Sequence, residues 1–114
     1  RAYLVRRVTA YRLCEIMRKN QFDGSEARAV EGVMDCDLLF IDDLGTEPQT
    51  RNTSGYLFQV INERNMNDRH TIISTNLNPE RMEGMYEQRV ASRLMDVSRT
   101  TAIRFYGEDL RLRK

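Results

Sequence analysis

The sequence predicts an α/β domain with a mostly parallel sheet. Short apolar or β-branched segments alternate with segments of helical periodicity along the 114 residues, which is the pattern of strand–helix–strand units. Residues 38–41 are four consecutive large apolar residues, as expected for a strand that helices cover on both faces. Asp42 and Asp43 follow directly. Because ligands bind outside the carboxyl ends of strands in such sheets, these two acids mark a candidate site, and a hydrated divalent cation is the ligand they suit.

The first part of the chain is predicted to run strand, helix, helix, strand. Residues 2–8 form the first strand, and Arg6 and Arg7 indicate that it lies near an edge of the sheet. Thr9 is a suitable N-cap for a helix over residues 10–19. A turn at residues 23–25 precedes the second helix. That helix is indicated by Ala27, Val30, Val33 and Met34, and it leads into the strand at residues 37–41.

The second part continues the alternation. Residues 46–53 are a polar loop containing a proline, and residues 54–66 form a helix with apolar side chains on one face. His70 is predicted to be a turn residue before a β-branched strand at residues 71–76. Asn78 and Pro79 suit the start of another helix, which carries Met85, Tyr86, Val90 and Leu94. The last strand is predicted at residues 101–106, before a charged tail.

Composition excludes several classes of protein. The balance of 40% apolar and 31% charged residues is that of an ordinary globular domain, and the net charge of +1 gives no strong overall field. Cys14 and Cys36 match no metal-ligand spacing, and Cys14 is predicted to be a core residue. The absence of a signal peptide and of an apolar run of membrane length predicts a cytoplasmic location with no membrane contact.

Basic side chains are concentrated in arginine, which accounts for all but two of the 18 lysines and arginines. Arginine suits bidentate contact with phosphate, although genome composition explains the bias equally well. Six basic residues lie in the first quarter of the chain, and an ordinary solvated surface is their simplest explanation. They are Arg6, Arg7, Arg12, Arg18, Lys19 and Arg28.

Four motifs occur in an order that resembles one family. They are a Walker B-like strand at residues 38–43, a sensor 1-like strand ending at Asn76, an arginine-finger-like segment at residues 88–94 and a shortened sensor 2 at residues 109–111. This set resembles the AAA+ ATPases of the DnaC-type helicase loader family, whose relatives include the IstB transposition helpers. The resemblance covers nearly the whole chain, and residues 39–45 together with residues 71–76 are its most specific part.

The resemblance implies a P-loop NTPase three-layer sandwich that uses ATP and Mg²⁺. Asp42 would hold Mg²⁺ through its water shell, and Asp43 would orient the attacking water, where the family more often has glutamate. Asn76 would hold that water or the γ-phosphate. Arg93 would act as the arginine finger on a neighbouring subunit's nucleotide, which implies self-association. Arg89 lies one helical turn earlier on the same face and is the alternative finger.

Other features implied by the resemblance are less specific. Loader proteins of this group bind single-stranded DNA, so the six basic residues in the first quarter of the chain would line a path for it. Arg111 would be the sensor 2 residue, although Arg104 and Arg113 lie nearby and a solvated terminus explains all three equally well. No Gly-x-x-x-x-Gly-Lys-Ser/Thr loop occurs in the sequence. We therefore expect residues 1–114 to be the carboxyl-terminal part of a single AAA+ domain whose first strand and P-loop are missing. We also expect these residues alone to bind and hydrolyse no appreciable ATP.

The resulting functional hypothesis is a helicase loader-like ATPase that couples ATP binding and hydrolysis to single-stranded DNA and a replicative helicase. An IstB-like transposition helper is the closest alternative. A non-catalytic nucleic-acid or protein interaction module is a second alternative, but retention of Asp42, Asp43, Asn76 and Arg93 together argues against it. A phosphoacceptor receiver domain is disfavoured, because no lysine follows the last predicted strand until Lys114.

Overall fold

A parallel three-stranded sheet forms the centre of the protein. The computed structural model describes residues 2–86 and 88–94. The strands are β1 (Val5–Thr9), β2 (Leu38–Leu44) and β3 (His70–Thr75), and they lie in the order β1-β2-β3. Both neighbouring pairs are parallel, which confirms the predicted α/β class. The strand predicted at residues 101–106 lies outside the described residues.

Five helices accompany the sheet in the part of the chain that the structure describes. They are α1 (Ala10–Asp23), α2 (Ala27–Asp35), α3 (Thr53–Met66), α4 (Pro79–Met85) and α5 (Gln88–Leu94). The predicted Thr9 cap is confirmed, since its hydroxyl accepts a hydrogen bond of 3.0 Å from the Arg12 N–H. Helix α1 runs four residues further than predicted. It ends at Gly24, whose φ of 71° allows its N–H to reach the Asn20 carbonyl.

The helices cover one face of the described sheet. Helices α1 and α2 connect β1 to β2, and α3 connects β2 to its next neighbour β3, so the chain moves across the sheet in one direction. Because such connections are right-handed, all three helices lie on the same side of the sheet. These three helices pack against one another, and Leu39 and Ile41 are fully buried beneath them. On the opposite face Leu38 and Phe40 are only partly buried, and Ile72 of β3 is 47% exposed. Within the described residues helices are seen on one face of the central strand, and helices on the opposite face stay a prediction.

Two local predictions are corrected by the structure. His70 is the first residue of β3 rather than a turn residue, because it pairs with Leu38. The helix predicted after β3 is two short helices, α4 and α5, with Tyr86 as the C-cap of α4. The predicted Asn78 cap is confirmed, since its side chain accepts a hydrogen bond of 2.8 Å from the Arg81 N–H.

A buried arginine joins α2, α3 and β3. Arg64 of α3 has no exposed surface, and burial lowers the pKa of its guanidinium. The guanidinium donates to the carbonyls of Val33, Met34, Cys36 and His70 and to the hydroxyl of Thr71. Three of these carbonyls lie at the end of α2, where the helix itself provides no N–H partners. This role is not evident from the sequence, because helical spacing alone does not distinguish a buried arginine from a solvated one.

Neither cysteine is bonded to another, and both are buried. Cys14 lies in the core as predicted, and burial, together with the charge of Glu47, raises the pKa of its thiol to about 12. No helix in residues 2–86 and 88–94 is long and apolar enough to cross a membrane.

Candidate functional site

An irregularity at the end of β2 brings both predicted acids to one residue of β3. Ile41 pairs with Ile73, but the next pair joins Leu44 to Thr75. Asp42 and Asp43 of β2 therefore lie opposite the single residue Ser74. Such a bulge bends a strand and redirects its side chains, and bulges are common beside functional sites.

The bulge requires a left-handed backbone at Asp43, whose φ is 58°. Aspartate tolerates this conformation better than most side chains. The Asp43 N–H donates to Ser74 Oγ at 3.0 Å, and its carbonyl accepts from Thr46 Oγ1 at 2.7 Å. These contacts hold the main chain of Asp43 while the residue remains exposed to solvent.

Asp42 is held as an ionised carboxylate by two neighbouring strands. The Ser74 hydroxyl of β3 donates to its Oδ1 at 2.5 Å, and the Arg7 guanidinium of β1 donates to its Oδ2. The hydrogen bond from Ser74, followed by that from Arg7, lowers the pKa of the Asp42 carboxyl. The Asp42 side chain is 18% exposed and that of Arg7 is 69% exposed, so this ion pair lies at the protein surface.

Ser74 is the site residue that the sequence analysis missed. The polar residue predicted for this edge of the sheet is Asn76, which directly follows β3 and is exposed. Thr75, between these two residues, donates to the Leu44 carbonyl at 2.6 Å and accepts from the Leu77 N–H at 3.1 Å. The two-residue alternation of a strand predicts that Ser74 and Asn76 lie on the same face, and this signal could have identified Ser74.

Arg89 and Arg93 lie on one face of α5, as their spacing predicts. Their guanidinium carbons are 4.7 Å and 5.9 Å from the centre of the Phe58 ring on α3, within cation–π range. Both side chains are largely exposed. The two candidate arginine-finger residues therefore lie next to each other over one aromatic ring. They belong to α5, whereas the two acids belong to β2. Arg111, the third arginine predicted for the site, lies outside the described residues.

The donor groups near Asp42 suit a hydrated cation. Residues 2–86 and 88–94 contain no group of three His, Cys, Asp or Glu side chains that could hold a metal ion directly. A site of this kind offers one ionised carboxylate and a serine hydroxyl. These two groups fit Mg²⁺, which keeps most of its water ligands when bound. They do not fit a zinc or calcium ion that takes most of its ligands from the protein.

Comparison with known proteins assigns the chain to a family. The family model described as IstB-like ATP binding protein matches residues 1–114. No curated protein gave a significant match.

Solved structures with a similar fold include replication initiators. The AMPPCP-bound DnaA from Aquifex aeolicus has a TM-score of 0.69 and 20% identity, with 81% of this chain and 29% of that chain covered. A DnaA bound to AMPPCP and single-stranded DNA has the same TM-score and identity, with 81% and 28% covered. Domain III of the Thermotoga maritima DnaA also has a TM-score of 0.69 and 20% identity, with 80% and 38% covered.

The chain thus spans well under half the length of these structures, and at 20% identity the likeness concerns the fold alone. The fold is that of an AAA+ P-loop NTPase with a parallel sheet. Since the family model matches the whole sequence, the chain belongs to the IstB-like ATP-binding protein family.

Proposed function

We propose that this chain is part of an AAA+ ATPase that couples ATP binding and hydrolysis to the handling of single-stranded DNA and a replicative helicase. The observation that carries this proposal is the bulge that gathers Asp42, Asp43 and Ser74 at the carboxyl ends of two parallel strands. In this proposal residues 1–114 are the carboxyl-terminal part of a single AAA+ domain. Another part of the protein then supplies the loop that binds the phosphates.

ATP with Mg²⁺, when bound, supplies the phosphoryl group that is transferred. Asp42 would hold the hydrated Mg²⁺ through its ionised carboxylate. The exposed carboxylate of Asp43 orients the attacking water. Asn76, beside the same sheet edge, holds that water or the γ-phosphate. Arg7 pairs with Asp42 and balances its negative charge, and a bound cation would compete with the guanidinium for that carboxylate.

The arginines of α5 act on the nucleotide of a neighbouring subunit. Arg93 stabilises the charge that develops on the transferred phosphoryl group, and Arg89 is the alternative residue for this role. Their shared position over Phe58 supports the proposal, because it presents two guanidinium groups together at the surface. Arg111 completes the proposed set as the sensor 2 residue.

Two observations support a nucleic-acid partner. One similar structure is a DnaA bound to single-stranded DNA. The candidate basic path of the amino-terminal region is exposed along its length, from Arg6 to Arg28. Some of its charge is already engaged, however, since Arg7 pairs with Asp42 and Arg12 pairs with Glu15 and Glu26. DNA binding through this surface would weaken strongly with salt.

The direct test is ATP turnover in the full-length gene product that carries these residues. We expect Asp43→Asn to abolish most turnover while ATP binding persists, and asparagine tolerates the left-handed backbone that this position requires. Arg93→Ala should lower turnover of the assembled oligomer by about 10³-fold or more. Arg81→Ala, at an exposed arginine on α4 outside the candidate basic path, is the matched control. Unchanged turnover in the assembled Arg93→Ala and Arg89→Ala proteins would refute the arginine-finger role, and no turnover in the wild-type protein would favour the non-catalytic interaction module.

The family match favours one second candidate, an IstB-like transposition helper. The two candidates differ in the protein partner rather than in the ATPase site. A binding assay with the replicative helicase and with the transposase of a neighbouring mobile element distinguishes them. Nucleotide-dependent binding of the helicase supports the loader, and nucleotide-dependent binding of the transposase supports the helper.

A further inference from the structure

A buried glutamate follows the acid pair. Glu47 lies in the loop between β2 and α3 and is only 3% exposed. Its Oε1 accepts from the Gly45 N–H at 2.8 Å, and its Oε2 accepts from Gln49 Nε2 at 3.1 Å and from the Tyr86 hydroxyl. Burying a carboxylate is costly unless several donors satisfy it, and here three do. Both carboxylate oxygens of Glu47 are therefore fixed by donors, one of which lies 39 residues away along the chain.

The glutamate reaches the joint between α4 and α5. Tyr86 is 4% exposed and caps α4, with its N–H donating to the Met82 carbonyl at 3.0 Å. Helix α5 begins two residues later. Burial and the hydrogen bond to Glu47 raise the pKa of the Tyr86 hydroxyl, so that it remains a donor at all physiological pH values. Glu47 thus connects the loop that follows the acids to the start of the arginine-bearing helix.

The other end of the same loop is attached to α3. The Thr53 hydroxyl donates to the Pro48 carbonyl at 2.8 Å and accepts from the Thr50 N–H at 3.0 Å. Thr53 is the first residue of α3, and Phe58, on the same helix, lies beneath Arg89 and Arg93. The loop is therefore fixed both to the helix on which the two arginines stack and to the joint before the helix that carries them.

We propose that Glu47 is a positioning residue that sets the placement of the α5 arginines relative to the Asp42–Asp43 pair of the same subunit. This inference rests on the proposed function, in which those arginines act on the neighbouring subunit's nucleotide. A shift of the loop at Gly45, two residues after Asp43, is transmitted through Glu47 and Tyr86 to α5. The state of one subunit's own site thereby sets the placement of the arginine that it offers to its neighbour.

The test uses Glu47→Gln and Tyr86→Phe in the full-length gene product. Tyr86→Phe removes only the hydroxyl, so it tests the link even where Glu47→Gln reduces folding. Glu63→Gln, an exposed glutamate on α3, is the control for loss of a carboxylate. We expect both variants to bind ATP as wild type does and to lose turnover by between about 10- and 100-fold, as a misplaced catalytic group does. Without nucleotide, amide hydrogen exchange should rise at residues 86 and 88–94 and remain unchanged in β1.

Mixed oligomers separate positioning from a merely structural effect. Subunits carrying Asp43→Asn cannot activate water but keep Glu47 and the α5 arginines. Mixed with Glu47→Gln subunits, they should restore turnover, because they supply a correctly placed arginine to a subunit whose acids are intact. The inference is overturned if these subunits rescue Arg93→Ala but not Glu47→Gln, or if Glu47→Gln keeps full turnover. If Arg93→Ala and Arg89→Ala both keep full turnover, the proposed function itself fails, and the inference fails with it.

Discussion

Replacing the buried arginine of α3 should destabilise the protein far more than any surface arginine. Arg64→Met removes six hydrogen bonds, one of them the weak bond to Cys36 Sγ, and takes the guanidinium donors away from the carbonyls at the end of α2. At about 1 kcal/mol of net stability for each of the five hydrogen bonds to oxygen, the loss approaches about 5 kcal/mol. Part of the lost stability is recovered because the substitution also removes a buried charge. We therefore expect a net decrease of about 3–5 kcal/mol in the free energy of unfolding. That is a large share of the 5–15 kcal/mol typical of a domain.

The assay is urea unfolding of the full-length gene product, followed by circular dichroism. Arg64→Lys keeps a charge that can reach some of the same carbonyls, and it should cost about half as much. Its smaller loss keeps the test informative if Arg64→Met does not fold. Arg51→Met, at an exposed loop position, should change stability by less than about 0.5 kcal/mol. A stability of Arg64→Met within about 1 kcal/mol of wild type would refute the role assigned to these hydrogen bonds.

Two further predictions concern the loop and the acid pair. Gly45→Ala should lower the free energy of unfolding by about 1–3 kcal/mol, because φ at this position is +107° and the new methyl group would lie 2.9 Å from Leu77 Cδ1. Gly84→Ala on α4 is the control: its methyl group would meet no atom within 4 Å, so stability should be unchanged or slightly raised. Thermal unfolding measures both variants. Ser74→Ala should raise the pKa of Asp42 in a carboxyl NMR titration, since the serine hydroxyl is the largest cause of its depression. Because the pKa of Asp42 is lower in the folded than in the unfolded protein, its ionised form stabilises the fold at pH values above the unfolded-state pKa of about 4. This stabilisation is lost as the pH falls through the folded-state pKa. Ser74→Ala should therefore lose less stability on acidification than wild type. An unchanged Asp42 titration would contradict that assignment.

Much of the architecture is predictable from local residue types. The apolar run ending in two acids predicted β2, Thr9 and Asn78 marked helix starts, and the alternation of elements predicted a parallel sheet. These features follow from short-range chemistry, because a cap or a strand pattern lies within a few residues. The bulge at Asp42 and Asp43 was not predictable, since it depends on the register with β3.

The sequence by itself determined the fold class, the two acids at the end of β2 and the pairing of Arg89 with Arg93 on one helical face. Only the tertiary structure placed Ser74 and Arg7 on Asp42, buried Arg64 at the end of α2 and joined Glu47 to Tyr86. The reason is physical. Each of these contacts spans many residues, and whether a polar side chain is buried with its partners depends on how distant segments pack, which local spacing does not record.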